Sequence, residues 1–234
     1  MRQRFEIHKR KDGRWYARYQ RELKPDGKSG YSYVYGKTKE EVEARLKEIE
    51  LENLHMSSPK ELNLLILGAG THGRDVKEIA ESLHVFRKIR FLDDKVIGED
   101  ILGKCEEVSN FRKEYPCAFI AIGDNKVREK YAKLIIKQRF LIPTLVAPSA
   151  FISSHAKIGE GTVVMPQTNL GAVNVKSFCI VAAGCTIGSD VELSDYTRVD
   201  SGAIVPKSEY VPEGTWIRSG EIYQSKSNTI GDVI

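Results

Sequence analysis

From Ile152 onward an aliphatic residue returns every sixth position: Ile152, Ile158, Val164, Leu170, then one residue early Val175, and again at Val181, Ile187, Leu193, Val199, Val205, Val211 and Ile217. A period of six fits neither an amphipathic helix at 3.6 nor a strand at 2, but it is the repeat of a parallel β-helix, each hexapeptide forming one side of a triangular coil. Twelve such hexapeptides predict four coils. Small residues follow many of the aliphatics at the fourth place (Ala156, Thr162, Thr168, Cys179, Cys185, Thr197, Ala203, Thr215), as a narrow interior requires where three walls meet.

The pattern at the other end of the chain is different. Apolar and polar residues alternate over about 4–10, 14–22 and 31–37, separated by the turn sequences KDG (Lys11 to Gly13) and PDGKSG (Pro25 to Gly30), which predicts three antiparallel strands. Thr38 followed by Glu41 forms a capping box, and Val42, Leu46 and Ile49 make one stripe of a helix running to about Leu54. Alternation assigns Ile7, Trp15, Ala17, Tyr19, Tyr33 and Tyr35 to the face under this helix, leaving His8, Arg10, Tyr16, Arg18, Gln20, Ser32 and Val34 on the open face.

Residues 55–60 lie in a polar, proline-containing stretch without periodicity, and a domain boundary is expected there. The run Leu62 to Leu67 reads as a buried strand and leads straight into Gly68-Ala-Gly70-Thr-His72-Gly73, then a helical stretch from Arg74 to about Leu83. Glycines at that place allow a tight turn and close backbone approach, and the free N–H groups at the helix start attract a phosphate. A second strand, Ile89 to Leu92, ends in Asp93-Asp94, where a carboxylate can accept hydrogen bonds from sugar hydroxyls. A third, Phe119 to Ile122, runs into Gly123 and then Arg128, a candidate phosphate contact, though a solvated cation in a helix's first turn reads equally well. Residues 62–148 offer one βαβ-type half rather than two, which suits a mononucleotide over a dinucleotide.

Composition narrows the class. At 234 residues and 41% hydrophobic content the chain can bury substantial cores, and no apolar run reaches the roughly 18 residues needed to span a membrane. No leader-like segment opens the sequence, so a cytoplasmic location is expected. Cys105, Cys117, Cys179 and Cys185 form no CxxC pair; they are expected to be reduced packing residues, with no metal site. The net charge of +4 conceals +7 over residues 1–38, where Tyr and Trp interleave with Lys and Arg, and −3 over the rest. A small basic sheet of this kind is one of the shapes that enter the DNA major groove.

The segment KRKDGRWYARYQ to YVYGKTKEEVEARLKE, within about residues 5 to 52, resembles the arm-type DNA-binding domains of tyrosine recombinases and their AP2-like relatives. That resemblance implies DNA contacts from Arg10, Tyr16, Arg18 and Gln20, although no recombinase catalytic domain follows; reuse of residues 1–54 for protein contact is an equally weighted alternative. The motifs ILGAGTHGRDV, FLDD, AIGDNKVRE and VAPSAFISSHAKIGEGTVV, together with the hexapeptides, resemble the bacterial sugar O- and N-acyltransferases over about residues 62 to 223. This second resemblance implies a homotrimer, acetyl-CoA held along a left-handed parallel β-helix between neighbouring subunits, and a nucleotide sugar on Gly68, Gly70, His72, Gly73, Asp93 and Asp94. The resulting expectation is a chain of mixed class: an antiparallel sheet-and-helix domain at 1–54, a linker at 55–60, a Rossmann-like α/β domain at 61–148, a β-helix at 149–223 and a tail at 224–234.

Acyl transfer from a thioester requires a base for the attacking amine or hydroxyl, and the resemblance implies a histidine on an early coil. Depending on where the skipped residue falls, Ala172, Val173 or Lys176 stands there instead, and residues 161–189 hold no His, Asp or Glu. His155, eighteen residues before Val173, is the candidate for a displaced base, expected directly beneath Val173; Lys176 ranks second. Two functions follow: an acyl-CoA-dependent transferase acting on a nucleotide sugar, or a non-catalytic nucleotide-sugar sensor that binds DNA through residues 1–54.

Overall fold

The computed structural model describes residues 7–10, 12–20, 31–46 and 62–225, and the chain divides into two compact units, Met1–Ser58 and Pro59–Ile234. The expected linker, the turn at residues 25–30, the end of the first helix and most of the tail lie outside the described residues.

In the first unit, β1 (Ile7–Lys9), β2 (Trp15–Gln20) and β3 (Tyr31–Gly36) form an antiparallel sheet in the order β1-β2-β3, followed by α1 at 39–46. Thr38 Oγ1 accepts the Glu41 N–H at 3.2 Å, the first half of the expected capping box, while the Glu41 carboxylate accepts the N–H of Lys37, one residue before Thr38, at 2.7 Å. The core is Ala17, Val34, Val42 and Leu46, with Ile7 and Trp15 packed against it. This corrects the face assignment of β3. Ala17 pairs with Val34, Tyr16 with Tyr35 and Arg18 with Tyr33, and residues directly opposed across a ladder share a face. Val34 therefore lies under α1, while Tyr33 and Tyr35 stand on the open face. Gly36 sets this phase, because a Cβ there would meet Val42 Cγ2 at 2.9 Å.

The second unit begins with a parallel three-stranded sheet, ordered β5-β4-β6, from β4 (Asn63–Leu67), β5 (Lys88–Leu92) and β6 (Cys117–Ile120). Helix α2 (Thr71–Ser82) follows β4, a 3-10 helix spans Cys105–Phe111, and α3 (Asn125–Lys137) follows β6. The central strand β4 and its neighbour β6 are almost wholly buried because helices cover both faces, while the edge strand β5 exposes Lys88: α2 packs with Leu64, Ile66 and Phe119, and α3 with Leu65, Leu67 and Ile120.

Thirteen two-residue strands, β7 (Leu145–Val146) to β19 (Trp216–Ile217), then wind into three stacks of parallel rungs, ordered β7-β10-β13-β16-β19, β8-β11-β14-β17 and β9-β12-β15-β18. The first rung starts at Leu145, before the expected boundary at 148. Every aliphatic of the hexad from Val164 to Ile217 is buried, and so are Thr162, Thr168, Cys179, Cys185, Thr197 and Ala203 at the fourth place. The polar members of that second column bond to backbone carbonyls, Thr162 Oγ1 donating to Lys176 O at 2.8 Å and Cys179 Sγ to Ser194 O at 3.1 Å, so they are buried without loss of hydrogen bonding. Burial pushes the Cys179 thiol up to about 12 and the Cys185 thiol to about 11.

Rungs are eighteen residues apart, Val175 pairing with Leu193, except where the early hexapeptide intervenes and Val175 pairs with Ile158. Most corners turn through a left-handed residue three places after the aliphatic, among them Gly161, Gln167, Phe178, Gly184 and Tyr196. The corner Gly171–Val173 lacks that residue and closes through a Val173 N–H donated to Gly171 O at 2.9 Å. No helix among the described residues is long and apolar enough to cross a membrane.

Candidate functional site

The glycine loop sits at the carboxyl edge of the sheet, where open α/β sheets receive their ligands. Gly68 has φ +104° and a Cβ on it would lie 2.7 Å from Ala121 O, while a Cβ on Gly73 would lie 2.0 Å from Gly68 O; the loop and the first turn of α2 fit together only without side chains. Gly70 is the N-cap of α2 with no side-chain cap and no acidic residue in the first turn, so the positive end of the helix is not neutralised locally.

Asp93 braces this loop. Its carboxylate accepts N–H groups from Ala69 at 2.7 Å and from Lys95 and Val96, both at 2.8 Å. Burial alone would raise its pKa, but the three backbone donors outweigh that and hold the carboxyl below the ordinary range. Asp94 accepts the Cys105 N–H at 3.0 Å and the Tyr131 hydroxyl at 3.2 Å. Both acids expected to meet a sugar are thus engaged in holding the loop and the 3-10 helix.

Arg128 corrects the expectation of a phosphate contact. It is fully buried, and all its donors are committed: Nε to Phe178 O at 2.8 Å, one Nη to Ile122 O and Gly123 O, the other to Asn125 Oδ1 and Tyr196 O at 2.7 Å. Phe178 and Tyr196 are left-handed corner residues of successive coils whose rings stack at 5.5 Å, and their turned-out carbonyls complete the pocket for the guanidinium. Arg128 therefore bolts α3 to the coils.

The crevice beside it, about 730 Å³, runs between the start of α3 and the β16–β19 wall, lined by Gly123, Asn125, Lys126, Tyr196, Arg198 and Trp216. Arg198 donates from Nε to Asp200 Oδ1 at 2.7 Å and lies 4.6 Å from the Trp216 ring centroid, with Arg218 3.6 Å from the same ring. Trp216 Nε1 donates to Asp200 Oδ2 at 2.7 Å. Gly123 is what admits Arg198, since a Cβ there would meet its Nη1 at 2.5 Å. His72 lies near enough to this cluster to feel its charges: burial drives its pKa down to about 4, Asp75 opposes this, and Arg198 and Arg128 add to it. The His72 Nε2 is buried with no hydrogen-bond partner among the described residues. A second opening, about 580 Å³, lies on the other side of the loop along Ala69, Arg74, Lys77 and Val96 to Ile101.

The structure therefore brings Gly68, Gly70, His72, Gly73 and Gly123 together and leaves His155 elsewhere. His155 is exposed on a turn, its N–H donating to Ser153 Oγ at 3.3 Å. It does not lie beneath Val173, because Lys157 N donates to Val173 O and the shortened corner moves Val173 over Ala156. Lys176 pairs with Glu192 at 3.6 Å. Arg198 and Trp216 had a signal in the sequence: each precedes a hexad aliphatic, and they stand eighteen residues, one coil, apart. In the first unit Arg10, Tyr16 and Arg18 share the open face, and the side chain of Gln20 lies outside the described residues.

Residues 63–135 match the PglD N-terminal domain family. A UDP-N-acetylbacillosamine N-acetyltransferase from Bacillus subtilis (strain 168) is 34% identical over 110 residues, 44% of this chain and 51% of that protein, so the chain spans about half the length of this curated relative. Among solved structures, a mutant perosamine N-acetyltransferase from Caulobacter crescentus, in complex with CoA and GDP-perosamine, superimposes with a TM-score of 0.55 at 22% identity, covering 69% of this chain and 88% of that one. PerB from the same organism, with the same ligands, gives a TM-score of 0.53 at 22% identity over the same shares. The second unit thus has the fold of these acetyltransferases.

Proposed function

We propose that the chain is an acetyl-CoA-dependent acetyltransferase whose acceptor is an amino or hydroxyl group on a nucleotide-linked sugar. The observation that carries this reading is the crevice between the start of α3 and the β16–β19 wall, lined by Gly123 and the cationic Arg198, with the glycine loop's His72, its Nε2 buried, close to that arginine. It is supported by the likeness of residues 63–135 to a family domain and by the fold likeness of 69% of the chain to a perosamine N-acetyltransferase. The nucleotide sugar is assigned to the loop of Gly68, Gly70, His72 and Gly73 together with Gly123. Acetyl-CoA is assigned to a left-handed coil stack, at the border with a neighbouring subunit of a homotrimer.

In the reaction the acceptor nitrogen or oxygen attacks the thioester carbonyl, the tetrahedral adduct expels CoA, and the acceptor's proton passes through a base to the thiolate. His155 is the base assigned to that proton, and its exposed turn is consistent with contact to a neighbouring subunit's substrate. Incubating the protein with acetyl-CoA and UDP- or GDP-linked amino sugars, and following free CoA thiol, is expected to show release with at least one sugar and a loss of about 10²-fold or more in His155→Ala. Absence of release with every sugar overturns the enzyme reading.

A second reading is favoured by one observation, that the early corner at Gly171–Val173 carries no titratable side chain. Under it the second unit binds nucleotide sugars without turnover, and the basic sheet of the first unit contacts DNA. Saturable binding of UDP-amino sugars by calorimetry, together with no CoA release, is its expected result.

A further inference from the structure

The face of the first unit's sheet away from α1 is covered by aromatic rings. His8 and Tyr16 lie 5.5 Å apart between centroids, Tyr16 lies 6.2 Å from both Tyr33 and Tyr35, and Tyr33 and Tyr35 are 6.3 Å apart. Tyr33 is 50% exposed and Tyr35 42%, whereas the opposite face buries Ala17 and Val34 completely or nearly so. Arg10 stands over the Tyr35 ring at 5.9 Å, and Arg18 shares the face as the partner of Tyr33. A contiguous patch of exposed rings on so small a domain marks a contact surface.

The chemistry of the patch selects its occupant. Reading a duplex through its major groove uses side chains that hydrogen-bond to base edges, chiefly Arg, Lys, Asn and Gln. Three tyrosines and a histidine side by side instead offer exposed aromatic surface, and aromatic side chains engage bases that have been freed from a duplex stack. The +7 charge of residues 1–38 supplies attraction to a phosphate backbone. We infer that this aromatic face is a platform for single-stranded nucleic acid, with bases stacking on Tyr16, Tyr33 and Tyr35 and with Arg10 and Arg18 tracking the phosphates. The inference rests on the nucleic-acid reading of the first unit but changes its ligand from duplex to single strand.

The full chain is titrated by fluorescence anisotropy into a labelled 20-nucleotide single strand, into the duplex of the same sequence and into labelled dextran. The single strand is expected to bind at least about 10-fold tighter than the duplex, and to weaken steeply between 50 and 200 mM salt, on the order of the losses known for phosphate-contacting proteins. The double variant Tyr33→Leu with Tyr35→Leu is expected to lose at least about 10-fold in single-strand affinity, while Tyr33→Phe with Tyr35→Phe stays within about 3-fold, because stacking needs the ring and not the hydroxyl. Duplex binding equal to or tighter than single-strand binding overturns the inference and leaves the DNA reading standing. Binding of neither nucleic acid overturns both, and tyrosine-dependent binding of dextran alone makes the face a carbohydrate surface. A loss in the Phe variant as large as in the Leu variant also overturns stacking.

Discussion

Arg128 carries a charge into a place where its partners are four backbone carbonyls and one amide oxygen, with no carboxylate among them. Carbonyl dipoles can satisfy a guanidinium completely because its planar fork matches several acceptors at once. Arg128→Leu would fill much of the volume but leave those acceptors buried and bare, a loss on the order of 3 kcal/mol or more that urea denaturation would measure. Asp93 is the complementary case, an anion held by three N–H groups. Its pKa in the fold is lower than in the unfolded chain, so its contribution is present above about pH 3.9 and is lost as pH falls through the folded value. Asp93→Asn offers one acceptor oxygen where two served. It is expected to unfold at lower urea than the native chain at pH 7, with the gap closing toward pH 3.

At the scale of elements, the join of β4 to α2 is the least tolerant piece of backbone. Gly73→Ala places a Cβ 2.0 Å from Gly68 O, and neither the turn nor the helix can yield without losing the other. A destabilisation of several kcal/mol is expected, about 3 or more, with loss of nucleotide-sugar binding in calorimetry. The coils make an opposite kind of prediction: Cys179 and Cys185, closed inside the stack with thiols pushed up to about 12 and about 11, should resist a thiol reagent at pH 8 until the chain is unfolded. The period-six aliphatics were legible in the sequence because each coil repeats the same local environment, and the glycine loop was legible because only Gly meets its sterics. The phase of β3 was not. Tyr33 and Tyr35 look like core residues by type, and only the pairing of Ala17 with Val34 and the contact between Gly36 and Val42 decide which side the helix covers. The burial of Arg128 is not legible for a related reason, since a basic residue at the start of a helix after a strand has the same local sequence whether it meets a phosphate, solvent or another part of its own chain. His155 was placed by counting eighteen residues across a corner that is one residue short.

For the second unit as a whole, acid sensitivity is expected to reflect His72. The unfolded chain takes up a proton on this residue near pH 6.5 and the folded one only near about 4, so the unfolded state binds more protons in between. Stability from the neutral imidazole is complete above pH 6.5 and declines as pH drops toward about 4. Thermal midpoints should fall across that window in the native chain and change less in His72→Gln; an unchanged slope would mean that other groups govern the transition.

The bolt at Arg128 also says how the crevice can work. With α3 pinned to two successive coils, and with Leu145, Ala147, Val163 and Ile180 continuing the α/β core into the stack, its two walls have no hinge between them. A ligand there meets a vise already set to its final gap. Selectivity should then come from fit rather than from closure, and admission and release should be timed by side chains at the mouth, such as Trp216 and the arginines against it, instead of by a swinging domain.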